Sequence, residues 1–521
     1  MPHAWTILLG SRGLTMVTIT VEGREVTVPD GMSILEAAKK AGVLIPHYCY
    51  HPGLPVAGVC RMCLVEVEKA PKLAPACATS VANGQVIHVH SPQALEARKG
   101  VLEMLLINHP LDCPICDQSG ECELQDYTYA EGRADSRYRE PKRFNPVEDF
   151  GGDVLYVPNR CILCTRCVRF MEDVAHDPVL NVSERGDRAL IGKFPGADLT
   201  NPWAGNVIDL CPVGALLSKD FLNKARAWEL DRAASICPNC SQGCNASLEV
   251  RDNVVMRMEP RPNEEVNRFF LCDPGRLDYR WLNRRDRITT PAIAGAASEW
   301  EPAIAAAVDA MAGRRLHVLA SPRLPNEALF LLQRLIARAT GTGWFTVPTG
   351  PEAPLPGVPD LSLRADRAPN GRGAELFGFT RIDDAPARLA ALGDGDALLV
   401  VDEELLHDTV TTGAGAIVVI GTTVPGWASR AAAALPTTHM AEEEGTFTNL
   451  RGRVQRYFQA KAAPGAARPT FAVLSDLLIA EGEKAEYWLA SDVFAAIAGV
   501  NPAFAGLSYE SLGLRGLVVA S

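Results

Sequence analysis

No run of eighteen apolar residues occurs in the 521-residue chain, so no segment is expected to span a bilayer as a helix. Positive charge is in deficit. Lysine and arginine number 51 against 62 acids, a net charge of -11, which lacks the basic footprint of a nucleic-acid binder. The opening residues, MPHAWTILLGSRGLTMVTIT, hold no sustained apolar stretch and no cleavage-site pattern, so no signal peptide is expected. Met16, just before the first strand-like run, is an alternative start. No P-loop and no strand-anchored G-x-G-x-x-G appears, which leaves no recognisable nucleotide cradle. Cysteine, by contrast, is plentiful: there are fifteen. In a chain without a leader, close C-x2-C pairs are better explained as metal ligands kept reduced than as disulfides.

The densest stretch is His109-Pro-Leu-Asp-Cys113-Pro-Ile-Cys116-Asp-Gln-Ser-Gly-Glu-Cys122, where one imidazole and three thiols form a complete four-ligand set. A histidine at a helix end is ordinarily a cap or a surface residue. Here three cysteines follow with no fourth nearby, and His109 completes the count. A neutral imidazole in place of a thiolate makes a cluster less negative and raises its potential. The helix leading to it begins at Ser91-Pro92, a good N-cap followed by proline, carries Leu95, Arg98, Val101, Leu102, Leu105 and Leu106 at helical spacing, and ends near Asn108.

The other twelve cysteines fall into three groups of four. In the first, apolar residues alternate from Val17 to Val28 around Glu22-Gly23, the pattern of a hairpin. A helix follows from the capping box at Ser33 to a C-terminal cap at Gly42. Then come Cys49, Cys60, Cys63 and Cys77, spaced C-x10-C-x2-C-x13-C. A strand-strand-helix opening with four thiolates predicts a β-grasp ferredoxin holding a [2Fe-2S] cluster; structural zinc is the competitor. His47 and His51, on either side of Cys49, are read as loop residues, and His88 and His90 as the solvent face of a strand. In the second group, Cys161, Cys164 and Cys167 repeat the C-x2-C-x2-C run of bacterial ferredoxins and Cys211-Pro212 supplies its end. Met171 stands where a two-cluster ferredoxin has a further cysteine, so one [4Fe-4S] cluster is expected. In the third, Cys237, Cys240, Cys244 and Cys272 enclose two strands, Ser247 to Val250 and Val254 to Met258, around Arg251-Asp252-Asn253. This is a small β-rich domain stapled by metal, with a zinc ribbon as the alternative. No cysteine is left over.

From about residue 290 Ala-rich helical stretches (Glu301 to Met311, Asn326 to Ala339, Pro386 to Leu392) alternate with apolar runs at 316–320, 397–401 and 416–420, which predicts an α/β parallel sheet. Thr349 to Pro359 reads as a loop or internal boundary. The piece Glu442-Glu-Glu-Gly-Thr-Phe-Thr-Asn449 with Gly452-Arg-Val-Gln455 is either a backbone-shaping motif or a charged, solvated turn.

Taken in order, GVCRMCLVEVE, CPICDQSGECELQD, NRCILCTRCVRF and CPVGAL resemble the large iron-sulfur subunit of bacterial NADH-quinone oxidoreductase, complex I. The resemblance covers residues 17 to 285 by motif; EEEGTFTNLRGRVQ is similar to the pterin-enzyme superfamily. It implies an α+β and α/β multidomain chain: a [2Fe-2S] β-grasp domain at 16–90, a His/Cys-ligated [4Fe-4S] module at 91–145, a ferredoxin-like [4Fe-4S] module at 146–228, a β-rich [4Fe-4S] domain at 229–288 and a shortened molybdopterin-oxidoreductase-like domain at 289–521. Arg451 stands where many relatives carry an acid. With every cysteine spent on clusters, no molybdopterin is expected, although serine or aspartate can in principle hold molybdenum. The resemblance further implies an electron relay on the cytoplasmic side of the inner membrane. A flavin-bearing NADH-oxidising subunit would feed it, and a ferredoxin-like subunit on the quinone side would drain it, among other subunits of the hydrophilic arm. The path would run through the His109 cluster and that of Cys161, with the cluster of Cys237 to one side. An iron-sulfur subunit of an NAD-linked formate dehydrogenase or hydrogenase is the alternative; neither reading gives the chain a substrate site of its own.

Overall fold

A computed structural model describes residues 15–402 and 410–520. The reading of the first residues as lacking a leader falls mostly on 1–14, outside the described residues. The chain divides into two compact units, Met1–Ala227 and Trp228–Ser521.

In the first unit, β1 (Met16–Val21) and β2 (Arg24–Pro29) pair antiparallel with Val21 opposite Arg24. The two turn residues, Glu22 and Gly23, both have positive φ (48° and 75°), as a turn matched to strand twist requires. Val17, Ile19, Val21 and Val28 point inward and are buried. Helix α1 (Ile34–Lys40) starts at Ser33, whose hydroxyl accepts the Glu36 N–H at 3.2 Å. The reciprocal half of the expected capping box is not made. Instead the Glu36 carboxylate accepts the hydroxyl of Tyr50, beside Cys49, at 2.7 Å. Gly42 follows the helix with φ 72°. With β3 (Leu64–Val67), β4 (Ala74–Pro75) and β5 (Val86–His88) the strands form a five-stranded sheet ordered β2-β1-β5-β3-β4, β1 and β5 being parallel. Ile34, Leu35, Ala37 and Ala38 of α1 complete its core.

Helix α2 (Pro92–Leu106) is N-capped by Ser91. Its expected apolar stripe is interrupted by Arg98, which is fully buried. The guanidinium donates to Val89 O at 2.8 Å and pairs with Glu131 of α3 (Glu123–Glu131). Beyond it, β6 (Glu148–Gly151), β7 (Val154–Tyr156) and a third strand at Leu216–Ser218 make a small sheet. Two short helices, α4 (Arg166–Arg169) and α5 (Asn206–Leu210), flank the Cys164 and Cys211 loops.

In the second unit three antiparallel strands, Asp231–Ile236, Asn245–Arg251 and Val254–Pro260, carry the last thiol group. The hairpin turn is Asp252-Asn253, both at positive φ, so Arg251 belongs to the strand. An eight-stranded sheet follows. Six consecutive strands are parallel, in the order Ala433–Pro436, Ala416–Gly421, Asp396–Val401, Arg315–Ala320, Thr342–Phe345 and Thr380–Arg381. Leu398 and Val400 pack on one face and Leu399 and Val401 on the other. A parallel sheet covered on both sides reads as the continuous apolar runs seen in the sequence. Glu442 and Glu443 are buried, so the acidic motif is not a solvated turn. Its strand, Gly445–Thr448, pairs with Arg453–Tyr457. Asn326 donates to the hydroxyls of Thr446 and Thr448, both at 3.0 Å, and Thr448 N–H donates to Asn370 at 2.7 Å. A Cβ on Gly445 would meet the Tyr457 hydroxyl at 2.6 Å and Pro325 at 2.8 Å, so only glycine fits there.

Candidate metal centres

The fifteen cysteines are all free thiols, and the fold gathers them in the groups that their spacing suggested. In the first group Cys49 N–H donates to Cys60 Sγ at 3.5 Å. Hydrogen bonds among the side chains of Cys49, Cys60, Cys63 and Cys77 hold the Cys49 and Cys63 thiols below their ordinary range and push Cys60 and Cys77 above it. Elsewhere burial is the largest cause and raises every shifted thiol. Cys161 reaches about 11 and Cys164 about 12, each further raised by Cys211. Cys167 feels Cys164, Cys161 and Cys211. Cys244 feels Cys237, Cys240 and Cys272. Four buried thiolates cannot share one pocket without a compensating positive core. Among the described residues no three or more His, Cys, Asp or Glu side chains converge as ligands of a single ion.

Local backbone geometry aims amides at the sulfurs. Leu163 N–H donates to Cys161 Sγ at 3.4 Å and Gly275 N–H to Cys272 Sγ at 3.3 Å. The amides of Gln118, Leu124, Arg166, Val213, Asn239 and Gln242, each two residues after a cysteine, do the same. Turning the chain this way places Arg61, Leu163 and Thr165 at φ 58°, 55° and 60°, at about 1–2 kcal/mol each for a residue with a Cβ. Such strain is the kind that collects at functional loops. Amides directed at sulfur also favour the more negative, reduced state of a cluster.

His109 is half-buried, and one ring nitrogen, Nδ1, is shut off from solvent with no hydrogen-bond partner. Burial, then Lys142 and Arg160, lower its pKa to about 4, so the imidazole is neutral, the form that binds metal. It lines a cavity of about 210 Å³ together with Asn108, Tyr156 and Cys161. Cys122 is pushed up to about 11 by burial and by Cys116 and Cys113; Cys113 itself is exposed. The structure thus makes the three thiols electrostatic neighbours of one another and leaves the half-buried His109 with an unpartnered Nδ1, lining a cavity with Cys161 rather than with those thiols. His47 and His51 are engaged locally: His47 Nδ1 lies 2.8 Å from Ile45 O, and His51 Nδ1 accepts from Gly53 N–H. Met171 is fully buried.

Cysteine spacing gave no hint of the arginines between the cysteines. Arg166, buried, donates to Tyr50 O at 2.8 Å, Leu210 O at 3.2 Å and Glu123 at 3.4 Å. Those three residues adjoin Cys49, Cys211 and Cys122. Arg160, before Cys161, pairs with Asp112, before Cys113, at 2.9 Å. The signal was present as the interleaving of NRCILCTRCVRF, in which every cysteine has an arginine within two residues. In the C-terminal region the motif's polar groups are met largely from elsewhere in the domain, by Arg287, Asn326, Asn370 and Thr470, while Glu442 Oε2 and Gln455 Oε1 are buried without a partner.

Family profiles match in the same order: a 2Fe-2S iron-sulfur cluster binding domain at residues 14–92, the NADH-ubiquinone oxidoreductase-G iron-sulfur binding region at 98–137, the ferredoxin-like domain of NADH-quinone oxidoreductase subunit 3 at 151–217, a molybdopterin oxidoreductase Fe4S4 domain at 231–284 and molybdopterin oxidoreductase at 395–479. One 2Fe-2S domain and three further iron-sulfur regions agree with one [2Fe-2S] and three [4Fe-4S] clusters. The chain is 40% identical over 330 residues to the G subunit of NADH-quinone oxidoreductase from Rickettsia bellii, 62% of this chain and 48% of that one. It is 46% identical over 289 residues to the mitochondrial NADH-ubiquinone oxidoreductase 78 kDa subunit of Candida albicans, 55% of this chain and 40% of that one. The match thus spans half or less of these curated relatives. A solved NAD+-reducing [NiFe]-hydrogenase chain, 31% identical with a TM-score of 0.37 over 40% of this chain and 90% of that one, carries no argument.

Proposed function

We propose that this chain, which belongs through its cluster-bearing part to the family of large iron-sulfur subunits of NADH-quinone oxidoreductase, relays electrons from a flavin- and NADH-binding subunit toward quinone. The observation that carries the reading is the mutual electrostatic influence of the thiols within each of four cysteine groups; we assign the half-buried His109, whose Nδ1 is unpartnered, to the group of three. We assign Cys49, Cys60, Cys63 and Cys77 to a [2Fe-2S] cluster. His109, Cys113, Cys116 and Cys122; Cys161, Cys164, Cys167 and Cys211; and Cys237, Cys240, Cys244 and Cys272 are each assigned to a [4Fe-4S] cluster, within the five modules 16–90, 91–145, 146–228, 229–288 and 289–521. Clusters so held supply reversible one-electron chemistry.

The chain's own residues shape that chemistry. Backbone amides stabilise negative charge on sulfur, burial excludes water, and Arg160 and Arg166 pin the loops that present the ligands. Two residues to either side of the exposed Cys113 in the chain, Leu111 and Ile115 are exposed by 89% and 67%. Apolar side chains beside an exposed ligand call for a covering partner, and we assign that face to the quinone-side ferredoxin-like subunit. Among the described residues no helix is long and apolar enough to cross a membrane; we assign the chain to the periphery of a membrane complex, on its cytoplasmic side. Iron and labile-sulfide analysis of anaerobically purified protein tests the reading. Two irons from one cluster and four from each of three others make about fourteen per chain; zinc without iron and sulfide would sink it.

A further inference from the structure

Arg169 has a place that no ligand assignment explains. One guanidinium nitrogen, Nη2, donates to the backbone carbonyl of Cys49 at 2.6 Å and to that of Cys164 at 3.2 Å. The other terminal nitrogen, Nη1, donates to Pro55 O, in the loop between Cys49 and Cys60. Nε bonds the Thr165 hydroxyl at 3.3 Å. The side chain therefore ties Cys49 to Cys164, a residue of the Cys161 group 115 positions later in the chain. Its charge is felt by the sulfurs of both Cys49 and Cys164. The Arg166 guanidinium, by comparison, hydrogen-bonds neighbours of the ligands and no ligand itself, although its charge also acts on Cys164.

We infer that Arg169 is a positioning residue shared by two centres, whose single positive charge sets the reduction potentials of the Cys49 and Cys164 clusters together. The inference rests on the assignment of those two thiol groups to clusters. A fixed cation beside a cluster favours its more negative, reduced form, since net charge and hydrogen bonding around the sulfurs tune the potential. The guanidinium stays charged when buried, and its rigid fork of five donors holds four acceptors at once, Cys49 O, Cys164 O, Pro55 O and the Thr165 hydroxyl, one more than the three donors of an ammonium can serve. A charge shared this way moves both potentials in the same direction when it is lost.

Redox titration followed by electron paramagnetic resonance on the whole anaerobically purified chain tests this. In Arg169→Gln both centres become harder to reduce. At a fixed ambient potential the reduced-to-oxidised ratio of each falls about tenfold, equivalent to about 59 mV for one electron. Signals of the His109 and Cys237 groups stay in place. Midpoints unchanged in fully iron-loaded protein, or a shift confined to one centre, overturn the inference. If the glutamine variant loses iron, Arg169→Lys decides: its charge sits on one nitrogen at the end of a shorter reach, so both midpoints fall together by less than in a charge-removing variant, and a shift in one centre alone or in neither refutes the shared role. A merely structural arginine would change iron content without moving the midpoints of the loaded fraction. Wild-type protein without the two clusters would defeat the cluster assignment instead, a separate result.

Discussion

Removing Arg166 should cost more than any exposed charge in the first unit. Its guanidinium is buried and bonds two buried carbonyls, Tyr50 O and Leu210 O, together with Glu123. Arg166→Ala leaves both carbonyls without their donor, at about 1–3 kcal/mol each. The Glu123 side chain is 38% exposed, so water rehydrates it and its ion pair adds about 1 kcal/mol at most. The total is about 4 kcal/mol, the scale of a broken buried charge interaction. For a unit of this size that lowers the unfolding midpoint by roughly 8–16 °C, at about 2–4 °C per kcal/mol. Because the three acceptors adjoin ligands of three centres, iron should be lost from all three together and retained at the Cys237 group. Scanning calorimetry and cluster-resolved paramagnetic resonance on the variant, with Arg166→Lys as the charge-preserving control, read both effects. A stable Arg166→Ala protein with its full iron content and a midpoint within about 2 °C of wild type would refute the reasoning.

Three further outcomes are expected. His109→Cys keeps its cluster but lowers that cluster's potential, because a thiolate adds negative charge; an unchanged redox titration means the imidazole was never a ligand. Cys272→Ser removes one cluster, measured as about four fewer irons, while NADH-driven electron flow in the assembled complex stays largely intact; complete loss of flow in an otherwise loaded complex places that centre on the path. Glu327 is buried, and burial raises its pKa to about 7 from an ordinary 4.5 even though Tyr509 and Thr446 donate to it. The fold prefers its protonated form. Its contribution to stability is therefore full below about pH 4.5 and is lost as pH rises toward 7, about 3 kcal/mol in all. Glu327→Gln, which does not ionise, should gain thermal stability relative to wild type between pH 5 and 8. A difference that stays constant with pH rules out that titration.

What the sequence revealed and what it hid follow from the range of the interactions. The Val17–Val28 hairpin, the start of α1 at Ser33 and the parallel strands at 396–401 and 416–421 were legible because each is governed by alternation, caps or continuous apolar runs within a few residues. The cysteine groups were legible because C-x2-C spacing itself folds the turn that points an amide at a sulfur. Arg98 looked like one position on a helical stripe; only the fold shows it sealed inside and paired with Glu131. The second half of the capping box failed because Glu36 found a longer-range partner in Tyr50. Glu442 and Glu443 read equally well as a solvated turn, since the groups that satisfy them, Arg287 and Thr470, lie 155 and 27 residues away.

The arginines of the Cys161 run show why such partners escape a reading by motif. The amides two residues after the cysteines are already committed to sulfur, so the local backbone has no further donors for the charge that four thiolates concentrate. Additional positive charge must come from side chains. In a packed site those side chains need directional donors that stay charged when buried, which selects arginine over lysine. Placing them between the cysteines costs no extra chain, and the loops they grip, around Cys49, Asp112 and Leu210, are 114–120 residues or 44–48 residues distant in sequence. Ligand spacing specifies each centre separately. The interleaved arginines join the loops of different centres to one another, and the loss of one should therefore disturb several centres together.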